Sequence, residues 1–310
     1  MPAIAVENLQ KTYGPVEAVR GVDFTVEPGE VFALLGPNGA GKTSVLEVLE
    51  GFRPRTAGRV EVLGMDPATG GRRLRERVGV VLQETAVEPY LTVREALTRN
   101  AGYYPHPRDV AEVISLVGLE EKATARVKTL SGGQQRRLDV GLGIIGDPEL
   151  VFLDEPTTGF DPSARRGAWD LVRRLTGGGT TILLTTHYMD EAQVLADRVA
   201  VLAQGRIVAE GTPEKIGGRD EAAMRVRFRL PAGVRREDLP VPCDGSGDLV
   251  EIRTEDELRV LHALTGWALE RGLALDGLTV DRPTLEDVYL SLTAGTASAE
   301  PDPVPPGASA

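Results

Sequence analysis

The run VFALLGPNGAGKTSVLEVL, residues 31–49, decides the fold. It begins with five apolar residues in a row, crosses a loop rich in glycine, and continues into a helical pattern. A strand this uniformly apolar suits a sheet covered on both faces. The loop GPNGAGKT fits G-x-x-x-x-G-K-[ST] between a strand and a helix, the context in which that pattern grips phosphate. Gly36, Gly39 and Gly41 let backbone N–H groups curl around an anion, and the helix N-terminus faces it. Gly36, Pro37, Asn38, Gly39, Ala40, Gly41, Lys42, Thr43 and Ser44 therefore form a candidate nucleotide-binding loop. In it, Lys42 reaches the β- and γ-phosphates and the Thr43 hydroxyl is a ligand for Mg²⁺.

Outward from this run the same texture repeats. VGVVL (78–82), LVFLD (150–154), TILLT (181–185) and VAVL (199–202) are short, apolar and rich in β-branched residues, with helical patterns between them. The class is α/β with a mostly parallel sheet. VAVLAQGRIVAEG (199–211) reads as a hairpin turning near Gly205. Strand signal fades between about 84 and 148, where TVREALTRNAGYY, DVAEVISLVGL and GGQQRRLDVGLGII read as helices inserted into the core.

Near residue 217 the pattern changes, and residues 218–295 read as a small α+β domain. MRVRFRL (224–230) alternates like a half-exposed strand, and DLVEIR (248–253) and LALDGLTV (273–280) supply others. The helix in TEDELRVLHALTGWALERG carries a capping box, Thr254 with Glu257, and an apolar face of Leu258, Leu261, Leu264 and Ala268, stopping at Gly272. PTLEDVYLSLT (283–293) is a short helix capped by Thr284. Residues 296–310, rich in Pro, Ala and acid, have the composition of a disordered tail.

Composition narrows the function. The chain is 41% hydrophobic and 26% charged, a soluble globular balance, with no apolar run near the roughly 20 residues of a membrane span. A net charge of −11 repels phosphate backbones and argues against nucleic acid as a partner. Residues 212–310 hold 11 Lys/Arg against 18 Asp/Glu, so the last third is the most acidic. Cys243 is the only cysteine, which permits no internal disulfide and fits a reducing compartment.

The chemistry gathers at strand ends, where open α/β sheets bind ligands. LVFLDEP (150–156) closes with two carboxylates: Asp154 would hold Mg²⁺, largely through water, and Glu155 would be general base toward an attacking water. His187 closes TILLTT and is placed to meet the γ-phosphate. Gln83 closes VGVVLQ; its spacing alone fits an ordinary exposed glutamine, while a side chain there can also touch Mg²⁺ or water. Tyr13 is an aromatic platform for an adenine ring or a residue of edge packing. Ser131, Gly132, Gly133 and Gln134, in LSGGQQRRLDV (130–140), open a helix on the insertion, away from Lys42, Asp154 and Glu155. They are either an ordinary N-cap or a second anion grip. In the second case the economical geometry is two chains head to tail, each serine-glycine loop capping nucleotide on the other's phosphate loop.

In this order, GPNGAGKT, Gln83, LSGGQ, LVFLDEP, GFDP and His187 resemble the ATP-binding cassette (ABC) ATPases over about residues 2–217. The resemblance implies an α/β cassette with an antiparallel β subdomain and a helical insertion, working as a sandwich dimer with two ATP molecules at its interface. It implies that Tyr13 stacks on adenine, that Gln83 links the site to a membrane partner, and that Asp161 lies in a loop crossing to the second copy. SGGQQRRLDVGLGIIGDPELVFLDEPTTGFDP together with PTLEDVYLSLT is similar to the ATPase subunits of daunorubicin-resistance-type drug exporters. ATP and Mg²⁺ as cofactors, a separate integral-membrane permease, and a place on the cytoplasmic face of the cell membrane are implied in turn. The alternatives are a subunit moving another substrate, such as lipid or polysaccharide, and a soluble ABC ATPase without a permease.

Overall fold

The apolar runs at 31–35, 150–154 and 181–186 become strands buried along their whole length. The computed structural model describes residues 1–81, 87–158, 160, 162–218, 223–243 and 247–294. Two compact units result, Met1–Pro213 and Glu214–Ala294.

In chain order the first unit runs β1 (Ile4–Tyr13), β2 (Val16–Val26), β3 (Val31–Leu35), α1 (Lys42–Leu49), β4 (Ala57–Val62), α2 (Gly71–Arg75) and β5 (Val78–Val81). The inserted helices follow: α3 (Val93–Ala101), α4 (Val110–Leu116) and α5 (Gly132–Ile144). The unit closes with β6 (Leu150–Asp154), α6 (Pro162–Gly177), β7 (Thr181–Thr186), α7 (Met189–Leu195), β8 (Arg198–Ala203) and β9 (Arg206–Gly211).

A six-stranded sheet in the order β5–β6–β7–β3–β8–β9 forms the frame. All neighbours are parallel except the β8–β9 hairpin, which turns through Gly205 at φ 76°. A second, antiparallel sheet has the order β2–β1–β4. Phe24 of β2 stacks on Phe32 of β3 with ring centroids 5.2 Å apart, so the two sheets share one core with Phe152 and Leu183. Each large apolar side chain fully buried there contributes roughly 1.5–3 kcal/mol. The inserted helices start on polar caps: Thr92 and Glu95 make a capping box on α3, and Asp109 accepts from the N–H groups of Ala111 and Glu112 on α4.

The second unit contains β10 (Met224–Arg229), β11 (Leu249–Thr254), α8 (Glu257–Glu270), β12 (Thr279–Asp281) and α9 (Leu285–Ala294). Its antiparallel sheet has the order β11–β10–β12. Val226, Phe228, Val250 and Ile252 pack with Leu264, Trp267 and Ala268 of α8. The intervening β10 residues Arg225 and Arg227 pair with Asp287 and Asp281. Thr284 caps α9, accepting from the Asp287 N–H while the Asp287 carboxylate accepts from the Thr284 N–H.

Three details of this unit differ from the sequence reading. β11 runs on through Thr254, so the helix starts later and Asp256 is its N-cap, accepting from the Arg259 N–H at 3.1 Å. Thr254 instead accepts from the Asp256 N–H. The buried stripe of the helix is centred on Leu264, Trp267 and Ala268, so Leu258, about a third of a turn off it, faces outward at 76% exposed. Of residues 273–280 only the end joins a strand, because the chain turns at Gly277, φ 70°, before β12. The proposed tail at 296–310 lies outside the described residues.

Candidate nucleotide-binding site

The parallel strands β3, β6 and β7 deliver Gly36, Glu155 and His187 to one edge of the sheet. The Gly36 N–H donates to Thr186 O at 3.3 Å, tying the start of the loop to the end of β7. Two of the loop's glycines are required by space and a third by conformation. A Cβ on Gly36 would lie 2.4 Å from Leu202 O, and one on Gly41, at φ 107°, 2.4 Å from Ala18 O. Gly39 sits at φ 80° with open space around it. Pro37 and Asn38 are exposed, Ala40 is buried, and α1 begins at Lys42. This is a cradle with its backbone brought close by the absence of side chains, and it fits phosphate oxygens.

Lys42 is 6% exposed. Its Nζ donates to Gly36 O at 2.8 Å and Pro37 O at 3.2 Å, and lies 3.6 Å from Glu155 Oε1. Burial pulls the ammonium below the usual lysine range, against the opposing pull of Glu155.

Glu155 has a left-handed backbone, φ 46°, which costs a residue with a side chain about 1–2 kcal/mol. Thr185 holds that turn: its carbonyl and its hydroxyl both accept from the Glu155 N–H at 3.1 Å. The same hydroxyl donates to Asp154 Oδ1. The Glu155 side chain then accepts from the Thr158 hydroxyl at 3.1 Å, and His187 Nδ1 lies 3.3 Å from Oε1. Burial alone would raise its carboxyl, yet the Thr158 hydroxyl, Lys42 and His187 outweigh it and hold Glu155 below the usual glutamate range. A carboxylate kept ionised at a strand end, with a cation and an imidazole beside it, can accept a proton from water.

Thr43 and Asp154 line one cleft of about 350 Å³ with Glu47 and Glu50. Burial, with Asp154 and Glu47 nearby, pushes Glu50 up to about 8, and among the described residues its Oε1 has no hydrogen-bond partner. A hydroxyl, carboxylates and room for phosphate and water make a hard-oxygen donor set, which fits Mg²⁺. Among the described residues no group of three or more His, Cys, Asp or Glu forms a metal cluster, so such an ion would depend on substrate oxygens and water for its remaining ligands.

Tyr13, 37% exposed, ends β1 above this region. Its hydroxyl donates to Glu47 Oε2 at 3.2 Å, and Lys11 Nζ sits 4.7 Å from its ring centroid. Ser131 is the N-cap of α5 in a full capping box with Gln134, its Oγ accepting from the Gln134 N–H at 3.3 Å. Among the described residues no hydrogen bond or ion pair joins Ser131, Gly132, Gly133 or Gln134 to the loop at 36–44, to Asp154 or to His187. One chain thus assembles Lys42, Thr43, Asp154, Glu155 and His187, and among the described residues no bond ties the serine-glycine loop to them. Ser44 follows Thr43 on α1. Gln83 and Asp161 lie outside the described residues.

Sequence reasoning missed three residues. Thr185 orients both acids, Thr158 holds the Glu155 side chain, and Arg136, only 8% exposed, donates to the carbonyls of Asp154 and Pro156. Thr185 left a faint signal, a hydroxyl among the two threonines that close the strand TILLTT next to His187; the two others left none.

The ABC transporter family model matches residues 19–158, and a C-terminal domain model of ABC transporter domain-containing proteins matches residues 224–284. The chain is 37% identical over 302 residues to the daunorubicin resistance ATP-binding protein DrrA3 of Streptomyces coeruleorubidus, covering 94% of this chain and 96% of the relative. It is 43% identical over 305 residues to the Nod factor export ATP-binding protein I of Paraburkholderia xenovorans, covering 94% and 98%. The solved structure of cbiO1 from Clostridium perfringens, part of an ABC transporter complex, matches with a TM-score of 0.64 at 27% identity, over 69% of this chain and 90% of that one. No helix among the described residues is long and apolar enough to cross a membrane. With relatives this similar over nearly its whole length, the chain belongs to the family of ATP-binding subunits of ABC transporters and is an ATPase.

Proposed function

We propose that this chain hydrolyses ATP to drive export through a separate integral-membrane permease, on the cytoplasmic face of the cell membrane. The observation that carries the hydrolytic reading is the convergence of Lys42, Glu155 and His187 at neighbouring strand ends. Lys42 and the glycine cradle hold the phosphates, and Thr43 and Asp154 serve Mg²⁺, which would neutralise charge between the β- and γ-phosphates. Glu155 takes a proton from the attacking water, His187 sits against the γ-phosphate, and Tyr13 stacks on the adenine. Gln83 would contact Mg²⁺ or water and sense the inserted helices.

The working unit is a pair of these chains, head to tail. Support comes from the bonding inside one chain: the capping box uses the N–H groups of Ser131 and Gln134, while among the described residues those of Gly132 and Gly133 have no acceptor and no bond ties this helix start to the chain's own cradle. In a pair they cap nucleotide bound by the other copy, with Asp161 near the crossing. The cassette occupies 1–217, with its insertion at about 84–148, and 218–295 is a regulatory or dimer-supporting domain. The permease docks by the insertion and Gln83; among the described residues Arg99, Asn100 and Tyr104 of the insertion line, with Phe52, a groove of about 430 Å³ that is a candidate docking surface.

Drug efflux is the favoured transport role, supported by the daunorubicin resistance relative. The higher identity to the Nod factor export relative supports a second reading, export of another class such as a lipid or polysaccharide. The hydrolytic reading is tested by Glu155→Gln incubated with ATP and Mg²⁺: it should hold ATP, fail to turn over, and elute as a dimer by size exclusion. A chain that stays monomeric in both forms contradicts the paired site. Stimulation of ATPase by candidate compounds, in membranes holding the co-purified permease, separates the two transport roles.

A further inference from the structure

We propose that Arg136 is a positioning residue for Glu155, gripping the two carbonyls on either side of it from the helix that begins at Ser131. This rests on the reading of Glu155 as the base of hydrolysis and deepens it. Arg136 lies in the second turn of α5, and its Nη2 donates to Asp154 O at 2.9 Å while its Nε donates to Pro156 O at 3.2 Å. The planar guanidinium therefore spans from the peptide unit that enters Glu155 to the one that follows Pro156, a reach the point charge of lysine does not reproduce.

The grip falls where the backbone needs it. Glu155 adopts a left-handed conformation that residues with side chains rarely hold without support. Thr185 fixes its N–H, and Arg136 fixes the carbonyls before and after it. Together they set the direction in which the side chain leaves the backbone, toward Lys42, Thr158 and His187. Filling the space would not call for a charge, since an apolar residue of similar length packs at less desolvation cost. The guanidinium is instead buried, within electrostatic reach of the carboxylates of Asp139, Asp154 and Glu191, and two of its hydrogen bonds go to the backbone of the catalytic turn.

The consequence is a mechanical link. The first turn of α5 carries Ser131, Gly132 and Gly133, which in the paired reading touch nucleotide on the other copy. The next turn carries Arg136. Any shift of α5 on engaging that nucleotide pulls on the carbonyls beside Glu155, so the state of one site reaches the base of the other through a single rigid helix.

The test is turnover and equilibrium ATP binding of the full chain as Arg136→Met and Arg136→Lys, each alone and in the Glu155→Gln background. Removing the fork should lower turnover by about 10²-fold in Arg136→Met, within the range a general base supplies, and by about tenfold in Arg136→Lys. The ATP dissociation constant should stay within about threefold of the parent, because the cradle is untouched. In the Glu155→Gln background either change should lower the residual rate by less than about twofold, since a misplaced base that is already absent costs nothing more. Parent-like turnover in the single variants, a loss of ATP affinity as large as the loss of turnover, or a full additive loss in the Gln background would each overturn the proposal. If Arg136→Met does not fold, the Lys variant and its cycle decide alone. Full turnover in Glu155→Gln itself would remove the underlying reading as well, which distinguishes that failure from failure of the Arg136 link.

Discussion

Lys42 Nζ lies 3.6 Å from Glu155 Oε1, with both side chains largely shielded from solvent. The cation that should hold phosphate thus also holds the carboxylate that should activate water. Phosphate drawing Lys42 toward itself would weaken that hold, and Glu155 would move back up toward the range of a useful base. In the proposed mechanism Glu155→Gln removes the base and keeps the cradle, so hydrolysis should fall about 10²–10⁴-fold with ATP binding retained. Steady-state turnover beside equilibrium binding checks this; parallel loss of both would contradict it.

Lys42→Met should behave oppositely. It deletes the ammonium that the cradle aims at phosphate and leaves Glu155 buried without its nearest cation. ATP binding should weaken by at least about tenfold, the equivalent of one lost charge-assisted contact of roughly 1.5 kcal/mol, and hydrolysis should fall with it. Titration with ATP at fixed Mg²⁺ measures the first effect, and unchanged affinity would contradict the role given to Lys42.

The glycines separate space from conformation. Gly39 and Gly41 both have positive φ, but only Gly41 has backbone 2.4 Å from where a Cβ would sit. Gly39→Ala should cost about 1 kcal/mol or a little more, and Gly41→Ala clearly more than that, with loss of nucleotide binding. Thermal unfolding of the two variants compares them directly.

Glu191 predicts a pH signature. It is fully buried, and burial raises its carboxyl above the ordinary glutamate range, against the influence of Thr186, Thr157, Trp169 and Arg165. Among the described residues, both its oxygens, the Thr157 hydroxyl and the Trp169 indole N–H lack a partner at hydrogen-bond geometry. With its folded pKa above the unfolded one, the folded chain keeps a proton that the unfolded chain has released. Its contribution is therefore most favourable below the ordinary glutamate pKa and declines as pH rises. Glu191→Gln should raise the unfolding midpoint more at pH 8 than at pH 5. Equal shifts at the two pH values would contradict the raised carboxyl.

The sequence made the frame and most of the site readable because both rest on local patterns. A buried parallel strand is a continuous apolar run, and a phosphate cradle is a spacing of glycines, so Gly36–Ser44, Asp154, Glu155 and His187 could be placed at strand ends from the letters alone. What could not be read depends on contacts across the fold. Thr185 meets Glu155 from 30 positions away, and Arg136 meets Asp154 O from 18. The left-handed backbone of Glu155 has no signature in a residue that normally avoids it. In the second unit, both Thr254 and Asp256 are good helix caps, and the extent of β11 decides between them.

The central claim is that each site is built from two chains, and complementation between two inactive variants tests it most directly. Glu155→Gln lacks a base but keeps Ser131; Ser131→Arg blocks the serine-glycine loop but keeps Glu155. Each alone should be nearly inactive while still binding ATP. In a mixed pair, one site combines the intact Glu155 of one copy with the intact Ser131 of the other. An equimolar mixture should recover hydrolysis to about a quarter of the parent rate per chain, since half of the pairs are mixed and each holds one intact site of two. A mixture no more active than its two components measured separately would contradict the shared site.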